Sequence, residues 1–457
     1  MIIQEIAPLV KFSQKNYNMR MERTLICETP KKVGEKLKIQ GHVNVVRAHG
    51  KIAFADIVDR SGTLQVVGRE DLATLKPQDV VEIEGMVNKR PENMVNDKIK
   101  TGTVELFAEK VTVLSKSEEM PFDMGAEELN LELPTLLDYR ALTLRHPKVK
   151  EIFKVQSAVS AGFRSAAEEL GCKEIFVPTI SASSTEGGSE VFMVDYYGRK
   201  AFMTQSPQLY KQMLVPVFER VYTITKAYRA EPSITTRHLS EITQMDCEIG
   251  FVNFEELLDA TEFIVTSTLK HVEEKCEKAL TDYKVEKLKI PAKIPRLTMR
   301  EAQQIVKDRT GVDHTTEKDL EPEDEREICK WALEVKGSDL VMITHYPTKK
   351  RAFYTMPDSK DPEFSLSYDL LFRGLEILSG SQRINNYQEL VDAIKGRGMD
   401  TANFEMYLQA FKYGMPPEGG FSFGLERITM KLLNLGNVRE ASLFPRDMER
   451  VDFRLNK

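Results

Sequence analysis

Apolar and polar residues alternate with a period of two in five runs between Lys36 and Leu114. The runs are KLKIQGHVNVVRAHG, KIAFADIVDR, GTLQVVGRE, DVVEIEGMVNKR and TGTVELFAEKVTVL, with turn signals at His49-Gly50 and Ser61-Gly62. That period predicts strands with one buried face, gathered into a small barrel or sandwich. Further on the period lengthens. HPKVKEIFKVQSAVSAGFRSAAEELG places Ile152, Val155, Val159 and Phe163 on one helical face, and Gly171 stops it. KEIFVPTI reads as a strand interrupted by Pro178, and a second amphipathic helix runs from Phe254 to about Cys276. DLVMITHYP reads as a strand, ANFEMYLQAFKYG as a helix, and residues 279–331 as an inserted or peripheral helical region.

These elements predict an α+β chain of two domains. Residues 1–20 form an N-terminal extension, 21–115 the strand-rich domain, 116–140 a polar hinge and 141–457 the larger domain. Five strands, with the helical segment DLATLKPQ between the third and fourth, fit an oligonucleotide-binding barrel (OB-fold).

Composition narrows the classes. Of 457 residues, 41% are hydrophobic and 29% charged, a globular balance with material for more than one core. No apolar run approaches a membrane span, and the N-terminus does not read as a signal peptide. A net charge of -6 argues against non-specific coating of nucleic acid. The five cysteines show no metal-ligand spacing, which points to a reducing, cytoplasmic setting.

The densest chemistry lies in YRAEPSITTRHLSEITQMDCEIGF, from Tyr228 to Phe251. It holds Arg229, Glu231, Arg237, His238, Glu241, Asp246 and Glu248 between and upon two predicted antiparallel strands. Alternation puts Arg229 with Glu231 on one face, and Asp246 with Glu248. Buried charge at this density needs pairing or a polar ligand. The plainer alternative is a salt-bridge network on an exposed sheet face. Arg427 follows the glycine-rich FSFGLE, where backbone can approach a phosphate. Taken alone, Arg427 reads as a surface arginine at a helix start. Neither GxxxxGK[ST] nor a GxGxxG after a strand is present, so side chains on a sheet must hold any nucleotide. In YDLLFRGLEILSGSQR, Asp369 and Glu376 sit on successive strands as oxygen ligands for Mg²⁺ would, and Arg383 ends the turn. FMTQSPQLYKQM sets Gln205, Ser206, Gln208 and Lys211 around a turn entering a helix. A lysine and an arginine converging there would select a carboxylate.

Together these segments resemble class II aminoacyl-tRNA synthetases. Arg229 with AEPSITTRHLSE resembles motif 2 and GGFSFGLER motif 3. The helix before KEIFVPTI, with the strand up to Pro178, resembles motif 1, the dimer interface of that class. QSPQLYKQ, EGGSEVF and LEILSGSQR resemble aspartyl-tRNA synthetases of the archaeal and eukaryotic type, and the resemblance runs from about Met21 onward. It implies a homodimer with a class II catalytic domain, an antiparallel sheet flanked by helices. It also implies activation of L-aspartate by ATP with Mg²⁺, then transfer of the aspartyl group to the 3′ end of tRNA(Asp). By matching positions, Arg229 would hold the α-phosphate and Arg427 the γ-phosphate, as the catalytic pair. Glu231, Arg237, His238, Ile242 and Glu376 would complete the ATP site. Asp369, Glu376 and Ser379 would bind the metal. Lys211 and Arg383 would grip the aspartate side chain, with Ser206, Gln208, Asp246 and Ser379 around the substrate and Glu186 on a closing loop. In the barrel, Phe54 would stack on the middle anticodon base, Gln65 and Glu105 would read base edges, and Arg47 would contact phosphate or base. Without the family, Phe54 reads as barrel core.

Two departures from the family pattern alter the expectations. Ile242 stands where a phenylalanine usually covers adenine. His42 stands where many archaeal relatives have a tryptophan, and relatives lacking it are relaxed at the third anticodon base. The expectation is therefore a non-discriminating enzyme that also charges tRNA(Asn), which implies an amidotransferase partner. The alternatives are an asparaginyl-tRNA synthetase, or a non-charging paralogue that binds tRNA.

Overall fold

The computed structural model describes residues 23–182, 190–232 and 235–455, and they form two units divided between Asn130 and Leu131. The dividing point falls inside the stretch expected as a hinge.

In the first unit β1 (Lys36–His49), β2 (Ile52–Val58), β3 (Thr63–Gly68), β4 (Val80–Lys89) and β5 (Val104–Ser115) close a barrel in the order β1-β2-β3-β5-β4. Helix α1 (Glu70–Ala73) lies between β3 and β4. The alternation read from the sequence is the cause of the fold. Ile39, Ala53, Ala55, Ile57, Leu64, Val66 and Leu106 point inward and are fully buried. The residues between them face out.

The second unit begins with α2 (Leu133–Asp138), α3 (Arg140–Thr143) and α4 (Pro147–Glu169). Next come β6 (Lys173–Glu174), β7 (Ile180–Ser181), β8 (Met193–Tyr196), β9 (Arg199–Met203), α5 (Gln208–Met213) and α6 (Val215–Phe218). The pair β10 (Arg220–Tyr228) and β11 (Glu241–Gly250) leads to α7 (Phe254–Lys275) and α8 (Glu277–Asp282). After these come β12 (Arg296–Thr298), α9 (Met299–Thr310), α10 (Pro322–Lys336) and β13 (Leu340–Thr344). The unit ends with β14 (Ser367–Phe372), β15 (Leu375–Gln382), α11 (Tyr387–Gly396), α12 (Glu405–Lys412), β16 (Glu418–Gly424) and α13 (Leu425–Leu432). Among the described residues, eight strands form one sheet in the order β12-β13-β14-β15-β16-β11-β10-β6, antiparallel except at its two ends. The α+β architecture of barrel and helix-flanked antiparallel sheet is the one expected.

Three expectations are corrected. KEIFVPTI is not one strand: β6 and β7 take two residues each and join different sheets. The pairing with β10 ends at Ile175, and Pro178 beyond it offers no amide to continue a ladder. Residues 279–331 are not merely peripheral. They contribute β12 to the main sheet, and Met299, Ala302, Val306 and Ile328 are buried against Val341, Ile343 and Leu371. Finally, β10 ends at Tyr228, so Arg229 and Glu231 follow the strand rather than alternating along it.

The β14–β15 turn fixes the register of the site. Arg373 and Gly374 both have positive φ, 48° and 81°, as a tight two-residue hairpin requires. Arg373 is held there by Asp339, 2.9 Å away.

Candidate active site

One cross-strand row carries the chemistry over four strands. Asp246 on β11 pairs with Ser422 on β16, Ser422 with Ser379 on β15, and Ser379 with Asp369 on β14. The neighbouring row runs Glu248, Gly420, Ser381 and Ser367. Serine and glycine in the middle columns leave room above the sheet. A Cβ on Gly420 would overlap the Glu248 carboxylate, so glycine there is a condition of Glu248 lying flat.

At the β11 end of these rows is a buried ion cluster. Lys211 Nζ, on α5, lies 2.8 Å from Asp246 Oδ2, 3.1 Å from the Phe421 carbonyl and 3.1 Å from Glu248 Oε2. Three acceptors thus face an ammonium with three N–H groups. Arg383 Nε donates to Glu248 Oε1 at 2.7 Å, Nη1 to Ser381 Oγ at 2.6 Å and Nη2 to Gln208 Oε1 at 3.2 Å. Ser422 donates to Asp246 Oδ1 at 2.9 Å. Gln208 is braced by Gln212, which donates to Glu418 and accepts from Tyr407. Lys211 is 1% exposed and Glu248 fully buried. Burial works against both charges, but the partners prevail. Asp246 and Glu248 hold Lys211 above its ordinary pKa, and Arg383 and Lys211 hold Glu248 below the usual carboxylate range. Burial, reinforced by Glu248, raises the Glu418 carboxyl well above the usual carboxylate range. Ser206 is buried at the mouth of α5, its Oγ accepting from the Gln208 amide at 3.1 Å.

Beside the cluster opens a solvent-facing cleft. Arg229, Glu231, Arg237, His238, Glu376 and Arg427 supply its polar wall, and Leu239, Ile242 and Val438 an apolar one. Arg427, in the first turn of α13, donates to the Glu376 carbonyl at 3.2 Å. His238 has its pKa lowered by burial and then by Arg427, Arg237 and Arg229, so it is the neutral member of a cationic set. Such a wall suits a polyanion laid against an apolar patch.

Asp369 does not line this cleft. Arg351, stacked over the Tyr346 ring, holds Asp369 Oδ2 at 2.6 Å and donates to Ser379 Oγ at 3.2 Å. Asp369 Oδ1 is buried without a hydrogen-bond partner. Burial and the nearby Asp369 raise the Glu376 carboxyl. An orphaned carboxylate oxygen, a second carboxyl under like-charge pressure and a hydroxyl in register fit a hard divalent cation.

The cluster brings together Ser206, Gln208, Lys211, Asp246 and Arg383, and the cleft wall holds the expected phosphate-side residues. Glu186 lies outside the described residues. Sequence reasoning gave no firm role to Glu248, beyond support of the sheet face or a metal, whereas it binds both selecting cations; it gave none to Arg351 or Glu325. Glu325, on α10, accepts from Arg237 Nη1 at 3.3 Å and from the Glu376 amide at 3.3 Å. Burial and then Glu376 push its carboxyl up to about 7. The alternation of Asp246 and Glu248 on one face was the available signal for Glu248. Glu325 carried none, being one acid among many in a charged helix.

On the barrel, Arg47 and Phe54 are cross-strand partners, and Arg47 reaches Asp56 at 3.1 Å. Phe54 faces outward between buried Ala53 and Ala55, so it is not core. Gln65 donates to Glu105 at 3.2 Å, and Glu105 meets Arg90 at 3.5 Å. His42 is exposed on β1, opposite Val58.

The chain matches tRNA synthetases class II (D, K and N) over residues 132–448 and the OB-fold nucleic acid binding domain over residues 37–114. It is 40% identical to the aspartate–tRNA(Asp/Asn) ligase of Thermus thermophilus over 94% of this chain and 99% of that one. It is 39% identical to the aspartate–tRNA(Asp) ligase of Pyrococcus furiosus over 92% of this chain and 96% of that one. Among solved structures, asparaginyl-tRNA synthetase from Pyrococcus horikoshii with asparaginyl-adenylate superposes with a TM-score of 0.86 at 28% identity, covering 94% of this chain and 99% of that one.

Proposed function

The chain belongs to the class II tRNA synthetases (D, K and N), and we propose that within this family it is an aspartate–tRNA ligase. The observation that carries the substrate is the buried cluster in which Glu248 holds Lys211 and Arg383 side by side. An aspartate side chain would meet the guanidinium of Arg383 and displace one acceptor from Lys211, the neutral Phe421 carbonyl being the weakest. The α-ammonium would lie toward Asp246. An asparagine amide offers one neutral acceptor oxygen in place of a carboxylate and turns its NH₂ group toward N–H donors, a mismatch such sites convert into rejection.

ATP would occupy the cleft, its phosphates along Arg229, Arg237 and Arg427 and its base against Ile242 and Leu239. Asp369, Glu376 and Ser379 would hold Mg²⁺, which neutralises phosphate charge when bound. The aspartate carboxylate then attacks the α-phosphate to give aspartyl-adenylate and pyrophosphate. The 3′-terminal ribose hydroxyl of tRNA takes the aspartyl group, releasing AMP. The protein supplies positioning and preorganised charge, with no side-chain nucleophile.

Phe54, Gln65, Glu105 and Arg47 on one outer barrel face support anticodon reading. His42 supports charging of tRNA(Asn) as well, and with it an amidotransferase partner. Exposed apolar residues in the motif-1-like segment, Phe176 at 89% and Ile180 at 45%, support a homodimer. Five free cysteines support a reducing cytoplasm. No helix among the described residues is long and apolar enough to cross a membrane. Aminoacylation of purified tRNA(Asp) and tRNA(Asn) with labelled aspartate tests the reading. Aspartate on both tRNAs is expected. Charging of tRNA(Asp) alone removes the relaxed specificity, and charging of neither removes the function.

A further inference from the structure

Phe107 is an aromatic side chain on the outer face of the barrel with no assigned task. Its neighbours in β5, Leu106 and Val104, are buried, so alternation turns Phe107 outward on the same side as Glu105. It is 42% exposed. The ladder places it in line with other outward residues across three strands: Phe54 on β2 pairs with Val67 on β3, and Val67 pairs with Phe107. Val67, between the two rings, is 8% exposed. The outer face therefore carries an apolar strip with an aromatic ring at each end, two strand spacings or roughly 10 Å apart. One row away, Asp56 pairs with Gln65, and Gln65 reaches Glu105. Hydrogen-bonding groups thus border the strip.

We propose that Phe107 is a second base-stacking platform, taking a nucleobase of the same single-stranded RNA loop whose neighbouring base lies on Phe54. The occupant follows from the chemistry of the face. The match to a nucleic acid binding domain covers Phe107. Two flat rings flanked by edge-reading amides and carboxylates suit unstacked bases, which offer a π-face and a polar rim. Residues 37–114 carry as many acidic as basic side chains, so phosphate attraction alone does not account for binding there. A stacking contact is sequence-tolerant, so this platform adds affinity while Gln65 and Glu105 discriminate.

The inference rests on the anticodon-reading role of the barrel, and the test separates the two. Phe107→Leu, Phe107→Tyr and Phe54→Ala are made in the full chain. The KM for tRNA(Asp) is measured in aminoacylation, with aspartate-dependent ATP–pyrophosphate exchange as the control. Phe107→Leu is expected to raise the KM for tRNA about tenfold with exchange unchanged, and Phe107→Tyr to restore it. An unchanged KM in Phe107→Leu beside a raised KM in Phe54→Ala overturns the second platform and leaves the barrel reading intact. Unchanged values in both overturn the barrel reading itself. Failure of Phe107→Tyr to restore the KM shows that stacking is not the role of Phe107.

Discussion

Glu248 Oε1 accepts a 2.7 Å hydrogen bond from Arg383 Nε, with both side chains buried beneath the site. The other oxygen of Glu248 lies 3.1 Å from Lys211. One carboxylate thus sets the spacing of the two cations that would face the substrate carboxylate. It also lowers the cost of burying them, since removing one partner from a buried pair leaves an uncompensated charge.

Glu248→Gln should therefore damage both stability and activation. Loss of the anion leaves two buried cations short of a partner, and about 3–5 kcal/mol of unfolding free energy should be lost. Urea unfolding measures this. Aspartate-dependent pyrophosphate exchange should fall more than about a hundredfold, because Arg383 and Lys211 then repel each other out of register.

The same carboxylate sets an acid limit. Its folded pKa lies below the usual carboxylate range. Its stabilising contribution is complete above the unfolded value and is lost as pH falls through the folded one. Unfolding free energy measured at descending pH should drop below the ordinary carboxylate range. The drop should be smaller in Glu248→Gln, which has no proton to take up at that position.

Glu325 joins the arginine of one loop to the carboxylate strand through Arg237 and the Glu376 amide. Glu325→Ala should raise the KM for ATP about tenfold, the scale of a lost charged hydrogen bond, with the KM for aspartate unchanged. Glu325→Gln should recover part of the loss, because its amide oxygen still accepts. Steady-state kinetics with each substrate varied in turn checks the split.

His238 sits among three arginines and has its pKa lowered. Its ring should remain neutral until pH falls below the ordinary histidine value, as followed by NMR of the labelled imidazole. A bound non-hydrolysable ATP analogue brings phosphate charge to the same wall and should raise that pKa. No change on binding would place the phosphates elsewhere.

Alternation made the barrel legible, since each strand has one buried and one wet face. The helices α4 and α7 were legible from their apolar stripes and stops. Asp246 was legible from the alternation of charge along its strand, and Lys211 and Arg383 from cations at two turns whose strings resemble the family. Arg351, Glu325 and Gln212 were not. They act on the site from loops and helices distant in sequence, and only the sheet order brings them within reach. The interruption at Pro178 was legible, but not that the two pieces join different sheets, which only the three-dimensional pairing decides. Phe54 was ambiguous because facing in or out depends on register, which shifts at the bulge between Val43 and Val45.

The most direct test of the central claim is ATP–pyrophosphate exchange with Mg²⁺ and one amino acid at a time. The Lys211–Glu248–Arg383 cluster predicts exchange with aspartate, at least about a hundredfold less with asparagine, and loss of that preference in Lys211→Ala. Equal exchange with asparagine, or none with aspartate, would contradict it.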